Sequence, residues 1–77
     1  MNILLANLDK LHTTELGIIR IKKNLEIKTN NVAAWCKNKT KNADNIIRKG
    51  KNWYVYADGS IITINAHSYT IITAHKQ

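Results

Sequence analysis

Proline and phenylalanine do not occur in this chain of 77 residues, and it holds only three glycines and one cysteine. No low-complexity tract and no internal repeat interrupts it, so a single domain is expected over residues 1–77. With only Gly17, Gly50 and Gly59, no glycine-rich loop is available to cradle a phosphate. The lone Cys36 cannot close an internal disulfide, which suits a reducing compartment. Beside Trp35 in a helix-like run, it reads as a core residue. The five acidic residues lie scattered, without the paired carboxylates of a glycosidase or a two-metal nuclease. His12, His67 and His75 lack metal-ligand spacing, so no metal and no cofactor is expected. No apolar run approaches the ~18 residues of a membrane span. Met1–Asn7 lacks the basic start of a secretory signal. The expectation is a soluble, cytoplasmic protein with no membrane partner.

Positive charge is what the chain has in excess. Twelve lysines and arginines face five acids, for a net charge of +7. Six of the twelve, Lys37, Lys39, Lys41, Arg48, Lys49 and Lys51, crowd into one stretch opposed only by Asp44. Such a stripe favours a polyanion, with RNA preferred, unless it is merely a solvated face. Hydrophobic residues at 44% and charged residues at 22% describe a folded chain. A chain this short buries only about 60% of its unfolded surface, so its core must be well patterned or helped by a partner.

Helical spacing opens the chain. Ile3, Leu4, Leu5, Leu8 and Leu11 predict a first helix over 2–11. His12-Thr13-Thr14 breaks it, and Thr13 or Thr14 caps a second helix carrying Leu16, Ile18, Ile19, Ile21 and Leu25. Gly17 inside that helix costs about 1 kcal/mol relative to alanine, and it either lets another backbone approach closely or brings His12 near its neighbours. Thr29-Asn30-Asn31 is the cap signal for a third helix with Val32, Ala33, Trp35 and Cys36. Its polar continuation from Lys37 to Asn45 reads as a basic loop or an exposed helical extension.

The period then changes to two. Asn45–Lys49 forms a short strand ended by Gly50. Asp58-Gly59 predicts a two-residue hairpin turn. That turn sets Val55 opposite Ile62 and Trp53 opposite Ile64 on a core face, with Tyr54, Tyr56, Ile61 and Thr63 on the other. A two-residue turn at Ala66-His67 would send Ile71, Thr73 and His75 inward. One more turn residue would bury Thr70, Ile72 and Ala74 instead. The second register is preferred, and it puts Tyr69, Thr73 and His75 on the open face. The fold class is therefore α+β: two to three N-terminal helices packed on a three- to four-stranded antiparallel β-meander.

Two blocks carry a resemblance. HTTELGIIRIKKNL (12–25) and RKGKNWYVYADGSIITINAHSYTIITAHK (48–76) resemble a small bacterial family of unknown function, which implies a shared fold and no stated activity. The match draws the eye to polar residues without a packing duty, among them His12, Asn65, Ser68, Thr70, Thr73 and His75. More distantly, helices followed by a meander ending in Thr-x-His-Lys resemble the barnase–EndoU–colicin–RelE group of ribonucleases. That likeness implies metal-free RNA cleavage, toxin-like in size and paired with an antitoxin. Such cleavage needs an acid–base pair and cations on the phosphate. His75 and His12 would supply the first, with Ser68, Thr70 or Thr73 positioning substrate. Arg48, Lys51 and Lys76 would clamp phosphate. Tyr54 and Tyr56 would stack bases, and Lys37, Lys39, Lys41 and Lys49 would line the strand's path. The competing expectation is a non-catalytic module that holds nucleic acid or docks a larger protein, as in phage–host conflict. A homodimer through the tyrosine face or a sheet edge is the third.

Overall fold

A computed structural model describes residues 3–77. A short helix α1 (Ile3–Ala6) leads through a 3-10 turn (Leu8–Lys10) into strand β1 (His12–Thr13). Helices α2 (Glu15–Leu25) and α3 (Val32–Lys41) follow. Strands β2 (Asn45–Lys49), β3 (Asn52–Ala57), β4 (Ser60–Asn65) and β5 (Thr70–Lys76) complete the chain. The sheet order is β1-β5-β4-β3-β2, antiparallel throughout except for β1, which lies parallel to β5. The architecture is the expected α+β, extended by a fifth strand.

The hairpin follows from its turn. Asp58 and Gly59 both have positive φ, 49° and 74°, as a type I′ turn demands, and its twist matches the flanking strands. The register is the one the pattern implied, with Val55 on Ile62 and Trp53 on Ile64. Those four residues join Leu4, Leu11, Ile21, Leu25, Val32, Cys36, Ile71 and Ala74 in the core.

Three sequence expectations need correction. The first helix does not run to Leu11. The Asn7 side chain donates to the Ile3 carbonyl at 2.8 Å, and its backbone leaves the helical region. Asn2, also assigned to that helix, lies outside the described residues. The break at 12–14 is not only a break, because His12 and Thr13 pair with Thr70 and Ile71. The last strand obeys neither proposed register throughout. Thr63 faces Thr73 but Ile64 faces Ile71, so β5 carries one extra residue, Ile72, as a bulge. Both Ile71 and Ala74 therefore reach the core, while Thr73 and His75 stay on the opposite face. Tyr69 is not on the open face either. Its φ is 60°, and its ring packs against Trp53 at 5.4 Å between centroids.

Helix α2 lies along β5. Thr14 caps it, its Oγ1 accepting from Gly17 N at 3.0 Å. A Cβ on Gly17 would sit 3.3 Å from the Ile71 carbonyl oxygen, so glycine is what lets the helix approach the strand. Further along, Asn24 Nδ2 donates to the Ala74 carbonyl, and Lys76 pairs with Glu26. Leu16 and Ile19, counted as core by spacing, point outward and are 64% and 62% exposed. Helix α3 continues through the polar run to Lys41.

Candidate functional site

The helices cover one face of the sheet and leave the other open. On the open face the register arranges side chains in three rows. Asn45, Tyr56, Ile61 and His75 form the row nearest the Asp58-Gly59 turn. Ile47, Tyr54, Thr63 and Thr73 form the middle row. Lys49, Asn52 and Asn65 form the third, which Thr70 and His12 continue across β5 and β1. Ile47, Lys49, Tyr54 and Tyr56 line a depression of about 550 Å³. Both tyrosines are half-buried, with part of each available to a ligand.

The third row ends in a chain of hydrogen bonds. His12 Nδ1 lies 3.0 Å from the Lys10 carbonyl oxygen, which can only accept. The hydrogen of a neutral imidazole is thus held on Nδ1, and Nε2 is left as an acceptor. Thr70 Oγ1 lies 3.0 Å from that Nε2 and donates to it. Its own oxygen then accepts from Ser68 Oγ at 2.7 Å. Ser68 Oγ also donates to Asn65 Oδ1 at 3.2 Å, so its single proton is shared between Asn65 and Thr70. Asn65 Oδ1 is served as well by the backbone N–H groups of His67 and Ser68, both at 2.9 Å. With Nδ1 facing the Lys10 carbonyl, Nε2 is the ring atom turned toward the Thr70 and Ser68 hydroxyls. A ligand hydroxyl entering at Thr70 or Ser68 meets that nitrogen directly or through one relay.

Tyr69 holds the cluster in place. A bulky residue in the left-handed region costs about 1–2 kcal/mol. Packing on Trp53 and the Lys10 ammonium, 5.6 Å from the ring centroid, offset that cost. The Tyr69 carbonyl accepts from His12 N, and its N–H donates to the Asn65 carbonyl, so both sides of the cluster hang on this residue.

The structure does not bring the four expected catalytic residues together. His12 lies in the third row and His75 in the first, two rows or roughly 13 Å apart along the sheet. Arg48 pairs with Trp53, on the helix side. Its guanidinium lies over the Trp53 ring at 5.6 Å, and its Nε donates to the Gly50 carbonyl. Thr73 sits between the histidines in the middle row. The relay members Ser68, Thr70 and Asn65 stood out in the sequence as polar residues without a packing duty. Nothing local signalled that they would meet His12, 58 residues from Thr70.

The cations divide as well. Lys37, Lys39 and Lys41 ride on α3, where Lys39 pairs with Asp58 and lies over the Trp35 ring. Lys76 is held by Glu26, and Lys49 stands in the open depression. Lys51 is exposed in the turn after β2, where its carbonyl accepts from Ala66 N, near the relay. Cys36 is fully buried, and burial pushes its thiol up to about 12, so it stays protonated as the core residue expected. Among the described residues no group of His, Cys, Asp and Glu converges as a metal site, and no helix is long and apolar enough to cross a membrane.

The chain belongs to the family described as a protein of unknown function, DUF3781, which it matches over residues 5–75. The small family of unknown function that the two sequence blocks resembled is thus the right kind of assignment. No curated protein and no solved structure matches the chain.

Proposed function

We propose that this chain is a small, basic, cytoplasmic RNA-interacting protein that receives single-stranded RNA on the uncovered face of its sheet. The observation that carries this is the pair Tyr54 and Tyr56, neighbours on one face of β3, half-exposed in a depression that Lys49 also lines. Aromatic rings on an open sheet stack unpaired bases, and a lysine beside them meets the backbone. The net charge of +7 draws a polyanion to the surface.

A second reading adds metal-independent, toxin-like cleavage, and the placement of His12 Nε2 3.0 Å from the Thr70 hydroxyl supports it. A ribose 2′-hydroxyl at the Thr70 end of the third row would lose its proton to Nε2 and attack the adjacent phosphorus. The 2′-oxygen–phosphorus bond forms, the bond to the 5′-oxygen breaks, and the leaving oxygen takes a proton from water. In this reading His12 is the base, and His75 lies too far along the sheet to act on the same phosphate.

One experiment separates the readings. A single-stranded RNA oligomer is titrated by fluorescence anisotropy at several salt concentrations, then incubated with the protein in excess EDTA. RNA interaction requires saturable binding that weakens with salt and is lost in the Tyr54→Ala/Tyr56→Ala double variant. Cleavage requires fragments ending in 2′,3′-cyclic phosphate, absent with 2′-deoxy substrate and with His12→Ala, and retained with His75→Ala. Binding without fragments leaves a non-catalytic module. No binding removes both readings and directs the search to a protein partner such as an antitoxin.

A further inference from the structure

Among the described residues the sheet order leaves β2 with a neighbour on one side only. Edge strands expose a row of unpaired backbone groups, and proteins commonly blunt them. This one is five residues long, NIIRK, with Ile47 at its centre, 42% exposed.

We propose that β2 pairs with β2 of a second copy of this chain, antiparallel about a two-fold axis at Ile47. The strand is self-complementary in that register. Ile47 meets Ile47, Ile46 meets Arg48, and Asn45 meets Lys49, so no like charges oppose one another. Asp44, the only acidic residue between Lys37 and Lys51, comes opposite Gly50 of the copy, between its Lys49 and Lys51. Centring the axis on Arg48 instead would set guanidinium against guanidinium. Centring it on Ile46 would leave Lys49 opposite Ala43, beyond the strand.

The parity of the register matters too. Residues equally offset from Ile47 lie on the same face, so Asn45, Ile47 and Lys49 of both copies stay on the uncovered side. Two five-stranded sheets then become one continuous sheet, with the two tyrosine depressions side by side across the axis. The contact is isologous and closes as a dimer, because each copy offers this edge once.

The test is sedimentation velocity over a concentration series, with disulfide trapping. A monomer–dimer equilibrium is expected for the wild type. Ile47→Lys, which places two ammonium groups at the axis, should remain monomeric with an unchanged circular dichroism spectrum. Residues directly opposite in an antiparallel pair have Cα atoms about 4.5–5.5 Å apart, within disulfide range. Ile47→Cys should therefore form a covalent dimer under mild oxidation. Asn45→Cys and Lys49→Cys, each roughly 13 Å from its own counterpart, should not. A chain that stays monomeric at every concentration overturns the proposal. So does a dimer that Ile47→Lys leaves intact, or one that traps at residue 46 instead of 47. Loss or retention of RNA binding has no bearing on these readouts.

Discussion

The two faces of this sheet are built from alternate residues of the same strands, yet they have opposite characters. Trp53, Val55, Ile62 and Ile64 are nearly solvent-free beneath the helices. Tyr54, Tyr56 and Ile61, one step away in sequence, remain half-buried on the uncovered side. The covered face holds the fold together by packing. The uncovered face carries aromatic rings, threonines and a lysine that no helix requires. The difference teaches that packing under the helices and the proposed RNA recognition are separable by parity along a strand, and neighbouring substitutions should show it.

The sharpest contrast is Ile62→Ala against Ile61→Ala. Ile62 is fully buried, and its truncation should cost about 2–5 kcal/mol in chemical denaturation. Ile61→Ala should cost less than about 1.5 kcal/mol, because its surroundings are already wet. Equal losses would mean that the uncovered face is covered in solution. Next comes Gly17→Val, which tests the covered side at its tightest approach. The new side chain would meet the Ile71 carbonyl and Thr14 Oγ1 at 3.3 and 3.1 Å from its Cβ alone. A loss of about 1–3 kcal/mol in the same assay is expected.

The uncovered face should respond in binding and not in stability. Tyr54→Ala should weaken single-stranded RNA binding by about 1–3 kcal/mol, roughly 5- to 150-fold, with an almost unchanged melting temperature. A variant that melts early but binds normally would reverse the assignment of the two faces. The smallest effect lies outside both. The Lys76 ammonium, hydrogen-bonded to Glu26 and opposite to it in charge, holds that carboxyl below its ordinary value of 4.5. Its contribution is present above about pH 4.5 and fades as pH falls through the lower folded value. Melting curves across that range should show a slight acid-side loss that Glu26→Gln removes and that added salt masks.

Much of the fold was legible because its signals are local. Asp58-Gly59 specified a turn by itself, and the turn then decided which residues face each other. Thr13-Thr14 and Thr29-Asn30-Asn31 announced two helices as cap signals, and within them the Thr14 and Asn31 side chains accept from the third residue on. What escaped detection depends on distant partners. A two-residue strand such as β1 has no period to read, and it exists only because β5 lies beside it. The bulge at Ile72 was invisible because Ile71-Ile72 offers an isoleucine to either register. Leu16 and Ile19 matched helical spacing, but a helix lying on one strand buries a narrow stripe through Gly17, Ile21 and Leu25. The histidine relay was half legible. Its members stood out as polar and idle, while the pairing of β1 with β5 that unites them could not be read from either segment.

That pairing also orders events in time. The β3–β4 hairpin closes over two residues, whereas the contact of His12 with Thr70 spans 58. Closing so long a loop costs roughly 3–4 kcal/mol of chain entropy, and the two-residue strand returns few contacts for it. During synthesis the meander can zip as it emerges, but the relay has no second half until residue 70 is out. A nascent or truncated chain therefore lacks the His12–Thr70 contact at that end of its sheet. In the finished protein, backbone amides around His12 should exchange with solvent before those of the hairpin.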